Sequence, residues 1–224
     1  MKNKALRNIL LFLIFMATLQ GIFLNISVSS NGEGFVNGLY VFKYFTLQSN
    51  LLLMLFSCVT LILINTGKSV GQESIISREK RSKYGKMNEW IDKLLSPLLS
   101  YILLTGITYA LIIAPTANPE GLAKISTILL HYVSPSLAII YFILFEKRRI
   151  DYREIALWII YPIVFLGWGL YLAIIKGDYL YPFFDIEKLG YKIIPYLFAV
   201  TLGGILLDIA VVFVNRRLNP KSKN

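Results

Sequence analysis

Histidine and cysteine are all but missing from this chain: 224 residues hold one of each, His131 and Cys58. A lone cysteine excludes a disulfide framework and any cysteine-rich metal site. A lone histidine excludes the multi-histidine zinc centres of metal-dependent hydrolases. No metal or other cofactor is therefore expected. Charge is scarce as well. Asp, Glu, Lys and Arg make up 16% of the residues, against about 25% in soluble proteins. The scarcer sign is negative, with 13 acidic residues against 23 basic ones.

What fills the space is apolar. Hydrophobic residues make up 56% of the chain, and the mean hydropathy is +0.61. This composition belongs to a polytopic membrane protein. The length accommodates about six helices of ~20 residues, and six apolar runs of that length stand out at 6–28, 40–64, 94–114, 125–145, 155–175 and 193–214. The expected fold is all-α, a single six-helix transmembrane domain over 1–224. The first run follows Lys2, Lys4 and Arg7, as a signal peptide would. It lacks a small-x-small cleavage site before its polar flank, and reads as a retained helix.

Basic residues set the orientation. The N-terminus, the 65–93 connector, the fourth-to-fifth loop and the C-terminal tail carry 18 of the 23. Positive charge stays on the cytoplasmic side, so both termini are expected there. The net charge of +10 is thus a topology signal, and a nucleic-acid partner is not expected. The connector 65–93 is polar and mixed in charge, and reads as a cytoplasmic loop with a short interfacial helix ending at Trp90. The third outer loop, KGDYLYPFFDIEKLGYK, is aromatic-rich and reads first as an interfacial anchor.

His131 sits inside the fourth run, and an ionisable residue at membrane depth is a functional candidate by default. Ser134 follows at i+3. Pro135 at i+4 has no N–H, so the His131 carbonyl is expected to lose its helical partner and the helix to kink. The second run carries a polar group of Thr46, Gln48, Ser49 and Asn50. Helical geometry puts Ser49 and Asn50 on the Thr46 face and turns Gln48 away. Such residues also serve as plain interhelical hydrogen-bonding groups.

Both the second and fourth runs begin at the outer face. Thr46 and His131 each lie six residues in, about 9 Å at 1.5 Å per residue, so the two are expected at one level. Asp208 lies near the inner end of the sixth run and reads as too far away to orient His131. A threonine hydroxyl is a weak nucleophile until a base takes its proton, and an imidazole is the usual base. Ser49, Asn50, Ser134 or a tyrosine such as Tyr44 are the candidate oxyanion or substrate-binding donors. Asp178, Asp185 or Glu187 would have to fold back to supply a carboxylate. The substrate at that depth would be a lipid or acyl ester from the bilayer.

The runs KYFTLQSNLL and LLHYVSPSL, and YPIVFLGW followed by GDYLYPFFDIEKLGY, resemble a bacterial family of six-helix integral membrane proteins. That family is distantly similar to the vertebrate androgen-induced and androgen-dependent TFPI-regulating membrane proteins. The vertebrate members are threonine hydrolases of fatty acid esters of hydroxy fatty acids. The resemblance implies a multi-pass protein of the bacterial plasma membrane, with Thr46 in the place of the family threonine and His131 in the place of the family histidine. The competing expectations are a small transporter or channel lined by the same polar residues, and a structural membrane protein without chemistry. Against transport, the sequence has no clear internal repeat.

Overall fold

The computed structural model describes residues 2–66 and 78–220. Among them six helices are long and apolar enough to cross a membrane: α1 (Lys4–Ser29), α2 (Phe45–Asn65), α3 (Trp90–Ile113), α4 (Gly121–Phe145), α5 (Tyr152–Lys176) and α6 (Ile186–Leu218). No strand occurs among the described residues. The protein is thus an all-α, multi-pass membrane protein.

Burial divides the bundle. Half of the apolar window is buried in α2 and in α3, but only 17% in α6. α1 to α4 therefore form the packed centre, around Leu11, Leu53, Ile102 and Tyr141. α5 and α6 turn most of their surface outward, as helices facing lipid do. At the end carrying both termini, Arg7 lays its guanidinium over the Phe145 ring and donates from Nε to the Tyr141 hydroxyl at 3.0 Å. Asn215 of α6 ties down the loop between α4 and α5. It accepts the Ile150 N–H and donates to the Arg148 carbonyl, both at 2.9 Å.

Two boundaries differ from the sequence reading. The helix leading into α3 runs unbroken from Arg78 to Thr108, so no separate interfacial helix ends at Trp90. The rest of the connector, 67–77, lies outside the described residues. The second run does not start its helix near residue 40. Phe35–Gly38 and Leu39–Lys43 form short turns, and Tyr44 is extended (φ −88°, ψ 139°). α2 therefore starts at Phe45, which puts Thr46 in its first turn.

Part of the third outer loop, around residues 180–184, enters the bundle, while Tyr191 stays 92% exposed at its surface. A wide turn over Leu172–Lys176 ends α5 at Gly177, whose left-handed φ of +63° favours glycine. The Asp178 N–H then closes onto the Leu172 carbonyl at 3.1 Å. This aims the Asp178 carboxylate at Lys43, which it meets at 2.6 Å. Beyond that latch, Leu180, Phe183 and Phe184 are buried. The Phe184 ring fills the space that Gly169 of α5 leaves open. Burying these large side chains stabilises the inserted loop by roughly 1.5–3 kcal/mol each, more than an interfacial position would provide.

Candidate active site

Thr46 and His131 line one cavity of about 80 Å³. α2 contributes Phe45 and Thr46, α4 contributes His131, and the inserted loop contributes Tyr181 and Phe183. α3 runs along the cavity from Ser100 to Tyr109, with Ile113 beyond. The depth count along the sequence assumed equal distances from two span starts. In the structure Thr46 is the second residue of α2, and His131 lies ten residues into α4. They reach the same cavity because the turns before Phe45 delay the start of α2.

The backbone at His131 is unusual. Leu129–Val133 is a π turn, in which the Ser134 N–H reaches the Leu129 carbonyl five residues back. Such single wide turns recur at functional sites. The wide turn changes which carbonyl Pro135 orphans. In that register the carbonyl left without an N–H is Leu130's, not His131's as expected from an α-helix. It is satisfied from the side, by the Ser134 hydroxyl at 3.1 Å and the Asn50 Nδ2 at 3.3 Å. The His131 carbonyl instead faces Gly106 of α3, where a Cβ would sit 2.9 Å from it. Glycine is thus needed for α3 and α4 to approach this closely.

The imidazole stacks on Tyr109, with centroids 4.1 Å apart and planes 20° from parallel. Tyr109 opens a second π turn, Tyr109–Ile113, on α3. The ring also approaches the Thr105 backbone, while Nδ1 is buried without a hydrogen-bond partner. Buried polar atoms are rarely left this way.

The other candidates have structural partners. Asn50 is fully buried; its Nδ2 donates to the Thr46 and Leu130 carbonyls, and its Oδ1 accepts the Ser134 hydroxyl at 2.7 Å. Both of its donors are therefore in use. Ser49 shares a hydrogen bond with the Thr105 hydroxyl at 3.1 Å and also reaches the Thr46 carbonyl. Ser49, Asn50 and Ser134 thus fasten α2 to α3 and α4 around Thr46. Gln48 turns to α5, where it accepts the Tyr161 hydroxyl at 2.7 Å. Tyr44 leans its ring edge-on against Tyr181, with centroids 5.9 Å apart.

Tyr181 is the residue the sequence reading missed. Its hydroxyl accepts the Phe45 N–H at 3.1 Å and lies within hydrogen-bonding reach of Thr46. Tyr44, at the N-cap position, makes no side-chain cap, so the inserted loop supplies one. Burial pushes the Tyr181 hydroxyl up to about 12, outweighing the lowering effect of the donors around it. It remains a protonated donor at neutral pH. The loop did fold back, but none of its acidic residues is paired with His131. Asp178 pairs with Lys43, and Asp185 caps the turn at Ile186–Leu189 by accepting the Lys188 N–H. The available signal for Tyr181 was its YPFF context, a dense apolar run inside a polar loop.

Asp208 reaches the cavity from α6. It lines the same cavity as Thr46 and His131 and accepts a hydrogen bond from Ser100. Ser100 and Thr105 are five residues apart on α3, about 7.5 Å along the helix.

No family model, curated protein or solved structure matches the chain. Fold and site define a class: a multi-pass membrane protein, with six spanning helices among the described residues and a cavity lined by a hydroxyl, an imidazole and a carboxyl residue. Among the described residues no group of three or more His, Cys, Asp or Glu side chains is placed to hold a metal ion.

Proposed function

We propose that the protein is an intramembrane hydrolase of acyl-ester lipids, with Thr46 as nucleophile and His131 as general base. The observation that carries this reading is the shared cavity of Thr46 and His131, with an imidazole whose buried Nδ1 has no hydrogen-bond partner among the described residues. The resemblance to the fatty acid ester hydrolases points the same way. In this reading both termini are cytoplasmic, and the protein sits in a bacterial plasma membrane.

The Thr46 Oγ1 attacks the ester carbonyl carbon while His131 takes its proton. The tetrahedral oxyanion is met by the Tyr181 hydroxyl and by the N-terminal end of α2, whose dipole favours negative charge. His131 returns the proton to the departing alkoxide, leaving an acyl-threonine. Water then attacks the acyl carbon, His131 accepts the water proton, and Thr46 leaves as the hydroxyl with the carboxylic acid released. Ser49, Asn50 and Ser134 act one step back, by holding the Thr46 backbone.

A fluorophosphonate probe tests the nucleophile. Labelling of wild type but not of Thr46→Ala supports the reading, and equal labelling of both removes Thr46 from the role. A small transporter is the rival reading, favoured by Asp208 on the same cavity. Solute flux in proteoliposomes without ester turnover would favour it.

A further inference from the structure

The proposed hydrolysis leaves one buried group unused. Asp208 is 5% exposed and lies within the apolar helix α6. Its hydrogen-bond partner is the neutral Ser100 hydroxyl. No lysine or arginine pairs with it among the described residues. A carboxylate in hydrocarbon is costly unless a cation or several donors meet it, and one hydroxyl is a small complement. Yet the carboxyl is not sealed in packing, because it lines the cavity. Polar groups kept at membrane depth and open to a cavity mark ligand pathways.

We propose that Asp208 and Ser100 seat the primary ammonium of a single-chain amphiphile, whose chain lies along the cavity toward His131. An ammonium supplies three donors and one positive charge, which the Asp208 oxygens and the Ser100 hydroxyl accept. Tyr101 and Phe165 also line the cavity, and aromatic rings are compatible with a nearby cation. An inorganic ion fits poorly. Calcium takes six to eight oxygens, and this seat presents a single carboxylate and a single hydroxyl.

The rest of the cavity is made for a chain. Leu104, Leu166, Val200 and Ile205 line it. A volume of about 80 Å³ holds about five to eight water-sized groups, at 10–15 Å³ each, enough for the ammonium and the first carbons of the chain, the remainder extending beyond it. On the α5 and α6 side, Ile163 and Gly204 border the cavity and Ile163 is 51% exposed, so this is the side from which the proposed amphiphile would enter. This seat does not depend on Thr46 attacking an ester. A protein without hydrolase activity would still bind the amine.

The test compares dodecylamine, dodecanol and dodecanoate as ligands of purified wild type and Asp208→Asn in a neutral detergent at pH 7. The amine is expected to raise the wild-type melting temperature by several degrees, with the alcohol and the acid well behind, and Asp208→Asn is expected to erase the amine's advantage. Equal shifts from all three ligands would overturn the proposal, and so would an amine advantage that survives in Asp208→Asn. Should that variant fail to fold, a diazirine-bearing alkylamine decides on wild type alone. Labelling of peptides holding Ser100 and residues 200–208 supports the seat, whereas labelling confined to the outward faces of the helices overturns it.

Discussion

The Tyr181 hydroxyl caps α2 from outside that helix, accepting the Phe45 N–H at 3.1 Å, one residue before Thr46. A loop residue 135 positions from Thr46 in the chain thus sets the start of the helix that carries the proposed nucleophile. Removing that oxygen in Tyr181→Phe keeps the ring packing and loses the cap. The expected cost is about 1 kcal/mol of stability, seen as a lower melting temperature. Ester turnover is expected to fall by about 10² as an oxyanion donor is lost. An unchanged melting temperature would remove the capping role.

The cap depends on a latch. Lys43 and Asp178 meet at 2.6 Å with side chains only 15% and 25% exposed, which protects the pair from solvent screening better than a surface bridge. Lys43→Ala and Asp178→Ala are each expected to loosen the inserted loop and speed proteolysis within residues 178–185. The exchange Lys43→Asp with Asp178→Lys is expected to restore protection in part. Cleavage at the wild-type rate in both single variants would show that apolar burial alone holds the loop.

Asn50 joins three partners, the Thr46 and Leu130 carbonyls and the Ser134 hydroxyl. Asn50→Ala leaves the Leu130 carbonyl with the Ser134 hydroxyl alone, and Ser134 without its acceptor on α2. The expected loss is about 1–3 kcal/mol, the range for a buried hydrogen-bonding group that loses its partner. The measurement is the detergent-solubilised melting temperature. A drop no larger than that of a lipid-facing substitution such as Leu111→Ala would contradict it.

The spans could be read from long apolar runs, because bilayer thickness fixes the length of such runs. His131 and Thr46 stood out for the same reason, as polar residues in apolar surroundings. The rest depended on geometry that counting cannot supply. A π turn moved the orphaned carbonyl from His131 to Leu130. The extended Tyr44 delayed α2 until Phe45, so an equal residue count from two span starts was the wrong measure of depth. That Asp208 lines the same cavity as Thr46 and His131 is a matter of packing between helices, which a residue count along one helix does not contain. The tyrosines of the third loop have the composition of an interfacial belt, and nothing local distinguishes a belt from a plug.

Glu146 gives a pH signature at the end that carries the termini. Its carboxyl is buried against Ser96 and the Arg148 N–H. Burial pushes it up to about 7 from the ordinary glutamate value of 4.5, against the lowering pull of those donors and the Arg148 charge. An acid that holds its proton more tightly when folded takes up a proton on folding between those values. Its contribution to stability is thus fully present below about pH 4.5 and is lost as pH rises through about 7, by up to about 3 kcal/mol. The wild-type melting temperature is expected to fall between pH 5 and pH 8, and Glu146→Gln to flatten that fall. An equal slope in the variant would assign the pH dependence to other groups.

The central claim is that the Thr46 hydroxyl and the His131 imidazole act together on an ester. The most direct measurement is turnover of a defined fatty acid ester of a hydroxy fatty acid by the purified protein in detergent, followed as released acid. The account predicts turnover by wild type and none by Thr46→Ala or His131→Ala, with both variants folded and melting near wild type. Wild-type turnover that persists in either variant would contradict it.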